Sequence, residues 1–418
     1  MASMLYNIFI NIYPLAIKIA ALFNNKASDW VNGRKGIFEA LQASIKKEDN
    51  IIWMHCASLG EFEQGRPVLE KLNLIKNPGQ KILLTFFSPS GYEVQKNYDG
   101  ADYVFYLPMD SKEHARRFFD GVQPTLILFV KYEFWYYYFK EAQTRKIPLL
   151  LVSAIFRKDQ PFFKWYGGTY KKMLRSITHF FVQNKASVQL LSQLGYNNEV
   201  TISGDTRFDR VLKIASQFKE IDLVKTFCSN SKVVVAGSTW TEDDKELDHF
   251  ANTNPAIKFI IAPHNIGKDR IDECLHLYKN ALTYSALSNG GNAEGKNTLI
   301  IDNIGMLSTL YGYADVCYVG GGFGADGVHN VLEPAVYGKP VVFGPEYEKF
   351  DEAEGLLDAG GALSVDNALE LDGTLGKLLR DDEKRKRMGE QARIFVNQQA
   401  GATDKVITYI QEKRLLTN

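Results

Sequence analysis

The sequence predicts an α/β protein made of two Rossmann-like, doubly wound domains facing across a cleft, preceded by an apolar, membrane-associating helix. Two observations carry this. From residue 50 onward, short apolar runs alternate with helical patterns, and the series starts afresh after residue 230. Continuous apolar runs of strand length, separated by helices, read as parallel strands buried on both faces. The chain also has 418 residues, and at roughly 100–200 residues per domain two domains are expected.

The composition fits. Apolar residues make up 45% and charged residues 23%, as in a folded soluble protein. This excludes a disordered chain, a collagen-like repeat and a polytopic membrane protein. Cys56, Cys228, Cys274 and Cys317 lie far apart with no CxxC among them. Neither a zinc ribbon nor a dithiol motif is available, and a reducing compartment follows. The net charge of zero hides a division. Residues 1–210 hold 27 Lys+Arg against 19 Asp+Glu, a net of +8, whereas residues 211–418 hold 22 against 30, a net of −8. A basic half favours an anionic partner such as a phosphorylated lipid, a membrane surface or nucleic acid, unless the charge serves solubility alone.

Residues 4–23 form the most apolar stretch. Its interruptions, Asn7, Asn11, Pro14 and Lys18, fall on one stripe of a helix. Three readings compete: a helix lying in the membrane interface, a helix spanning the bilayer, and a helix buried in protein. Asn11 and Pro14 near the middle speak against spanning. Lys26, Arg34 and Lys35 follow and point to the cytoplasmic face.

The expected strands of the first series are 51–55, 81–87, 125–130, 148–153, 179–183 and 200–203. Those of the second are 233–237, 259–262, 299–302, 315–321 and 340–344. The boundary is expected near 204–230. The domains read as 1–30 for the apolar helix, 31–211 for a first Rossmann-like domain and 212–418 for a second, with the final helix free to pack back on the first domain. In open α/β sheets ligands bind at the carboxyl ends of the strands, so the residues there are the candidates.

The first strand runs into HCASLGE. Ser58 and Gly60 make a turn, and Glu61 opens a helix. A carboxylate there is either a first-turn helix acid or a general base whose pKa burial lifts. Ser88, Ser90 and Glu93 follow the second strand, where helix N–H groups can meet an anion. In the second series, Ser238 follows one strand, and Pro263 and His264 the next. The segment GGGFGADGVHNVLEP then joins a strand to a helix carrying Asn330 and Glu333. Its glycines let backbone N–H groups approach a phosphate. The spacing is not that of a hydride-transfer dinucleotide site. No clustered oxygen ligands follow a strand, and no HExxH occurs, so no metal and no cofactor are required.

Taken in order, HCASLGE, SPSGYE, SGDTRFD, AGSTW, DNIGMLSTLYGYADVCYVGGGF and GVHNVLEPAVYGKPVVFGP resemble the lipid A Kdo transferases (3-deoxy-D-manno-octulosonic acid transferases), glycosyltransferases of the GT-B architecture. The resemblance covers nearly the whole chain. It implies a metal-independent enzyme on the cytoplasmic side of the cell inner membrane, anchored by the N-terminal helix. Such an enzyme moves Kdo from CMP-Kdo to the 6′-hydroxyl of a phosphorylated lipid A precursor with inversion, in lipopolysaccharide biosynthesis, without nucleic acid. On this pattern Glu61 is the base and Arg207 stabilises the transition state. Pro263, His264, Ile304, Gly305, Met306 and Asn330, Val331, Leu332 and Glu333 hold CMP, with Ser238 beside them. Ser58, Gly60, Ser88, Ser90 and Glu93 stand on the acceptor side. The chain departs from the pattern at three places. His264 replaces an arginine, Lys131 replaces the first acid of Glu-Thr-Glu-Leu-Trp and joins the catalytic candidates, and Ile304-Gly305-Met306 replaces Met-Gly-Glu. Other readings are a transferase or epimerase using a UDP-sugar, and a non-enzymatic nucleotide-binding membrane scaffold.

Overall fold

The computed structural model describes residues 2–417. The chain forms two compact units, one of Met1–Arg210 with Ala400–Asn418, the other of Val211–Gln399.

The first unit is built on seven parallel strands: β1 (Asn50–Cys56), β2 (Gln80–Phe86), β3 (Tyr103–Tyr106), β4 (Pro124–Val130), β5 (Leu149–Ala154), β6 (His179–Val182) and β7 (Val200–Ile202). Their order is β3-β2-β1-β4-β5-β6-β7. Alternate residues of each strand face opposite layers, as the pleat requires. Ile51, Trp53, Ile127 and Phe129 pack with Phe118, Phe119 and Tyr138 on one side. Ile52, Met54, Leu126 and Leu128 pack with Phe62, Val68 and Leu69 of the helix Leu59–Ile75 on the other. Both faces are thereby covered, which is why the runs are apolar throughout rather than alternating.

The second unit repeats the plan with β8 (Val233–Thr239), β9 (Lys258–Pro263), β10 (Ala281–Thr283), β11 (Thr298–Ile300), β12 (Val316–Val319), β13 (Val341–Phe343) and β14 (Ala362–Ser364). The order is β10-β11-β9-β8-β12-β13-β14, all parallel. The expected strands are present. Three short edge strands, β3, β10 and β14, join them; at three or four residues each they offer too little pattern to read.

The last helix, Ala402–Glu412, belongs to the first unit. Val406, Ile407 and Ile410 enter the layer that holds Phe62 and Leu69. Asp209 fixes its start, accepting from the N–H of Gly401 at 2.6 Å and of Thr403 at 2.7 Å.

The amino-terminal helix, Ala2–Ala20, corrects one expectation. No helix among the described residues is long and apolar enough to cross a membrane, so the spanning reading falls. One face is docked instead. Ile10 is buried with Trp30 and Met109, Tyr6 donates its hydroxyl to Asp110, and Tyr137 donates to Asn7 at 2.6 Å. The other face leaves Ile8, Phe9, Ile12, Leu15 and Ile19 exposed, followed by Leu22 and Phe23.

Candidate active site

Neighbouring strands whose following connections run in opposite directions lie at β1 and β4 in the first unit and at β8 and β12 in the second. Loops leave such a switch point in opposite directions and open a crevice at the carboxyl ends of the strands. The candidates gather at these two places.

At the first, Ser58 caps the helix Leu59–Ile75 in a reciprocal capping box with Glu61. Glu61 Oε2 accepts from the N–H of Ala57 at 2.5 Å and of Ser58 at 3.2 Å. The sequence left a helix acid and a catalytic carboxylate as competing readings; here one oxygen does the capping. The other, Oε1, has no partner among the described residues. Burial, reinforced by the charge of Glu133, pushes the Glu61 pKa up to about 8, against the pull of the two N–H groups and of Lys131. Glu133 is delivered by the loop after β4, the strand paired with β1.

His55, at the end of β1, completes the cluster. It is wholly buried, with Nδ1 2.9 Å from Thr85 Oγ1 and Nε2 3.8 Å from Glu133 Oε2. Trp53 Nε1 donates to the same Thr85 oxygen at 2.8 Å. Thr85 Oγ1 thus bridges the indole of Trp53 and the imidazole of His55, and the other ring nitrogen, Nε2, faces Glu133. Burial holds the His55 pKa down, so the ring is neutral at pH 7.

Arg207 joins the same helix indirectly. It forms a two-armed ion pair with Asp205, 2.9 Å from Nε and 2.7 Å from an Nη. Gln64, one turn after Glu61, donates to that carboxylate at 3.2 Å. Lys131 closes β4 with φ 66°, a left-handed conformation rare outside glycine. Its Nζ lies over the Tyr132 ring at 5.0 Å. Ser88 caps the next helix and lies beside the Glu61 turn, its N–H donating to Ala57 O at 2.7 Å. Ser90 N–H donates to Ser88 Oγ at 3.2 Å. Glu93 is tied into the fold by Lys96 at 2.8 Å and the Tyr106 hydroxyl at 3.2 Å. Gly60 is exposed, and a Cβ there would meet nothing within 4 Å. The fold itself makes no demand for glycine at that position.

At the second switch point β8 ends with Ser238 at φ 56°. Trp240 follows, and its indole Nε1 donates to His329 Nε2 at 2.9 Å. The two rings are inclined by only 16°, with centroids 6.4 Å apart. His264, just after Pro263 at the end of β9, stacks at 4.5 Å from each of them. Sequence reading passed over Trp240, although it directly follows the AGST turn. Asp243 ties the turn together, accepting from Trp240 N–H, Gly321 N–H and the Tyr318 hydroxyl, each at 2.7–2.8 Å.

The glycine-rich segment differs from expectation. Gly320 N–H donates to Gly237 O at 2.9 Å, and Gly321 N–H to Asp243 at 2.8 Å. These groups are engaged by the protein and do not point at a ligand. The glycines serve close packing: a Cβ on Gly320 would lie 2.4 Å from Ser238 O. Asn330 Nδ2 donates to Glu333 Oε1 at 3.1 Å. Val331 and Leu332 are wholly buried and can offer a ligand only their main chain. Ile304, followed by Gly305 at φ 94°, stands 86% exposed. Met306 accepts from Asn303 Nδ2 at 3.0 Å.

A family model described as 3-deoxy-D-manno-octulosonic-acid transferase matches residues 31–210. A 3-deoxy-D-manno-octulosonic acid transferase of Aquifex aeolicus is 29% identical over 332 residues, covering 77% of this chain and 84% of that protein. The chain is thus similar to Kdo transferases over most of its length. It is a glycosyltransferase enzyme. A bifunctional glycosyltransferase/methyltransferase of Fusobacterium nucleatum is 31% identical over 309 residues, 71% of this chain; the chain spans about half, 48%, of that relative's length. Among solved structures, a UDP-GlcNAc 2-epimerase from Neisseria meningitidis, bound to UDP-GlcNAc, matches with a TM-score of 0.61 at 15% identity, covering 87% of this chain and all of that one. That likeness concerns the fold alone. Within the Kdo transferase family frame, the three departures in sequence now have places: Lys131 at the end of β4, His264 on the Trp240–His329 pair, and Ile304-Gly305-Met306 after β11.

Proposed function

We propose that the protein transfers Kdo from CMP-Kdo to the 6′-hydroxyl of a phosphorylated lipid A precursor, with inversion, in lipopolysaccharide biosynthesis. The observation that carries this reading is the Glu61 carboxylate at a topological switch point. One oxygen is fixed by two N–H groups, the other has no partner among the described residues, and the pKa is lifted to about 8. A base should have a pKa near the working pH, so that it is both available and strong enough to take a proton.

In this reading Glu61 Oε1 takes the proton of the acceptor hydroxyl. The oxygen attacks the anomeric carbon of Kdo from the face opposite the CMP phosphate. The new C–O bond forms as the bond to phosphate breaks, and the electron pair leaves with CMP. Arg207, steadied by Asp205, supplies a fixed cation for the growing negative charge. Lys131 lowers the Glu61 pKa and offsets part of the push from Glu133. The second unit holds the donor, with the exposed Ile304 against the base and Asn330 and Glu333 at the ribose. On the acceptor side, Gly60 leaves the Glu61 turn open to approach, and Ser58, Ser88, Ser90 and Glu93 line that edge.

The exposed apolar face of the first helix lies in the interface of the cell inner membrane, cytoplasmic side, where a lipid acceptor is found. The membrane surface is thus a partner, and nucleic acid is not.

The test is incubation of the full chain with labelled CMP-Kdo and tetraacylated lipid A precursor, followed by mass spectrometry. A product heavier by one or more Kdo units is expected. Calorimetric titration with CMP and with UDP separates this reading from a UDP-sugar enzyme, and CMP binding without product would leave only a nucleotide-binding scaffold.

A further inference from the structure

The ring cluster of the second unit is asymmetric in a way that decides where a proton can go. His329 Nε2 already accepts the Trp240 indole N–H at 2.9 Å. Its ring proton therefore sits on Nδ1, and a second proton on Nε2 would expel the indole. Burial and the neighbouring His264 push the His329 pKa down to about 4, which agrees with a ring held neutral. His264 is under no such constraint. It lies over the joined Trp240–His329 pair, 4.5 Å from each centroid and exposed to solvent. Its own N–H in the backbone donates to Thr239 O at 2.9 Å, which fixes the residue at the strand end while leaving the ring edge open. An imidazolium there would rest on an indole face, the arrangement that favours a cation.

The charged and titratable groups that bear on His264 are few. Desolvation against the rings lowers its pKa, and Asp326 raises it. Asp243, on the helix behind Trp240, has its carboxylate taken up by two N–H groups and the Tyr318 hydroxyl. The N–H groups of Gly320 and Gly321 are engaged too, so the usual glycine-loop means of meeting a phosphate is weakened here.

We propose that His264 is a proton-linked anion site: it is neutral in the free protein and becomes the cation when the donor's phosphodiester arrives, so donor binding takes up a proton. This rests on the donor reading of the second unit given above. Proton linkage follows. The affinity advantage is complete below the free-state pKa of His264 and is lost as pH rises through its bound-state pKa.

The test uses the full chain and the methyl diester of cytidine 5′-phosphate, a ligand whose own charge does not change near neutrality. Calorimetric titrations are run between about pH 6 and pH 8, in buffers of different ionisation enthalpy. Uptake approaching one proton is expected, with affinity falling up to about tenfold per pH unit. His264→Arg should bind with no uptake and a flat pH profile. His264→Gln should lose the low-pH affinity. His329→Gln, whose amide oxygen can still accept the indole N–H, should keep the uptake. Binding by the wild-type chain without proton uptake overturns this assignment alone, as does uptake that survives in His264→Arg. Absence of binding by either CMP or the diester overturns the donor reading and this inference with it.

Discussion

The two units place their chemistry at the same point of the same kind of sheet, yet they handle charge in opposite ways. The amino-terminal half carries a net +8 and its candidate site is a buried acid cluster; the carboxyl-terminal half carries −8 and its site is built of imidazoles and an indole. Bulk charge thus says little about the charge presented at a strand end. What decides it is the loop after each strand: Glu61 after β1 and Glu133 after β4 in one unit, Trp240 after β8 and His264 after β9 in the other.

The contrast is testable, and the largest effect belongs to the acid cluster. Glu61→Gln keeps the capping geometry but removes the base. Transfer should fall by about 10²–10⁴, while calorimetric binding of CMP is unchanged. Retention of more than a tenth of the wild-type rate would end the contrast, since Glu61 would then be no more than a helix cap.

The next effect probes the second unit. Asp243→Asn weakens three hydrogen bonds to one buried carboxylate. A stability loss of about 3 kcal/mol is expected in urea unfolding, with donor binding weakened because Trp240 loses its anchor. Stability within a few tenths of a kcal/mol of wild type would show that the turn is held by packing instead.

A smaller effect separates Glu61 from its neighbour. As a base, Glu61 works ionised, so kcat/KM should rise with pH and level off above about 8. Glu133→Gln removes the second cause of that high pKa. The rising limb should move to lower pH by about one unit, with the plateau rate little changed. An unmoved limb would mean that the limb belongs to another group.

The smallest effect concerns Gly60. Alanine has room there and suits a helix better, so Gly60→Ala should stabilise the protein by up to about 1 kcal/mol. It should nonetheless raise KM for the lipid acceptor, because the methyl group intrudes where the acceptor approaches. Thermal melting together with acceptor titration reads both.

Much of this was legible in the sequence, and the rest was not for identifiable reasons. Strands such as Asn50–Cys56 and Val233–Thr239 announce themselves because both faces are covered, so residues 51–54 and 233–236 are unbroken apolar runs. The Ser58–Glu61 capping box is a local pattern and could be read directly. The influence of Glu133 on Glu61 comes from the pairing of β1 with β4, a contact between distant segments that periodicity does not reveal. The same holds for His264, Trp240 and His329, which follow three different strands. The glycine segment shows the converse limit. Its composition marks close backbone approach, but only coordinates show that the N–H groups of Gly320 and Gly321 point inward. The apolar N-terminal segment was half legible: its stripe is real, but Tyr6, Asn7 and Ile10 turn toward protein, which composition alone cannot choose.

The helix Ala402–Glu412 gives the first unit an unusual history. Synthesis proceeds from the amino terminus, so the ribosome finishes residues 211–399 before the segment that completes the earlier unit emerges. Until then the side of that sheet later covered by Val406, Ile407 and Ile410 stays wet. The nascent protein therefore matures out of order, and a fragment ending at residue 399 should be sticky and short-lived in the cell even though every candidate catalytic side chain is present in it.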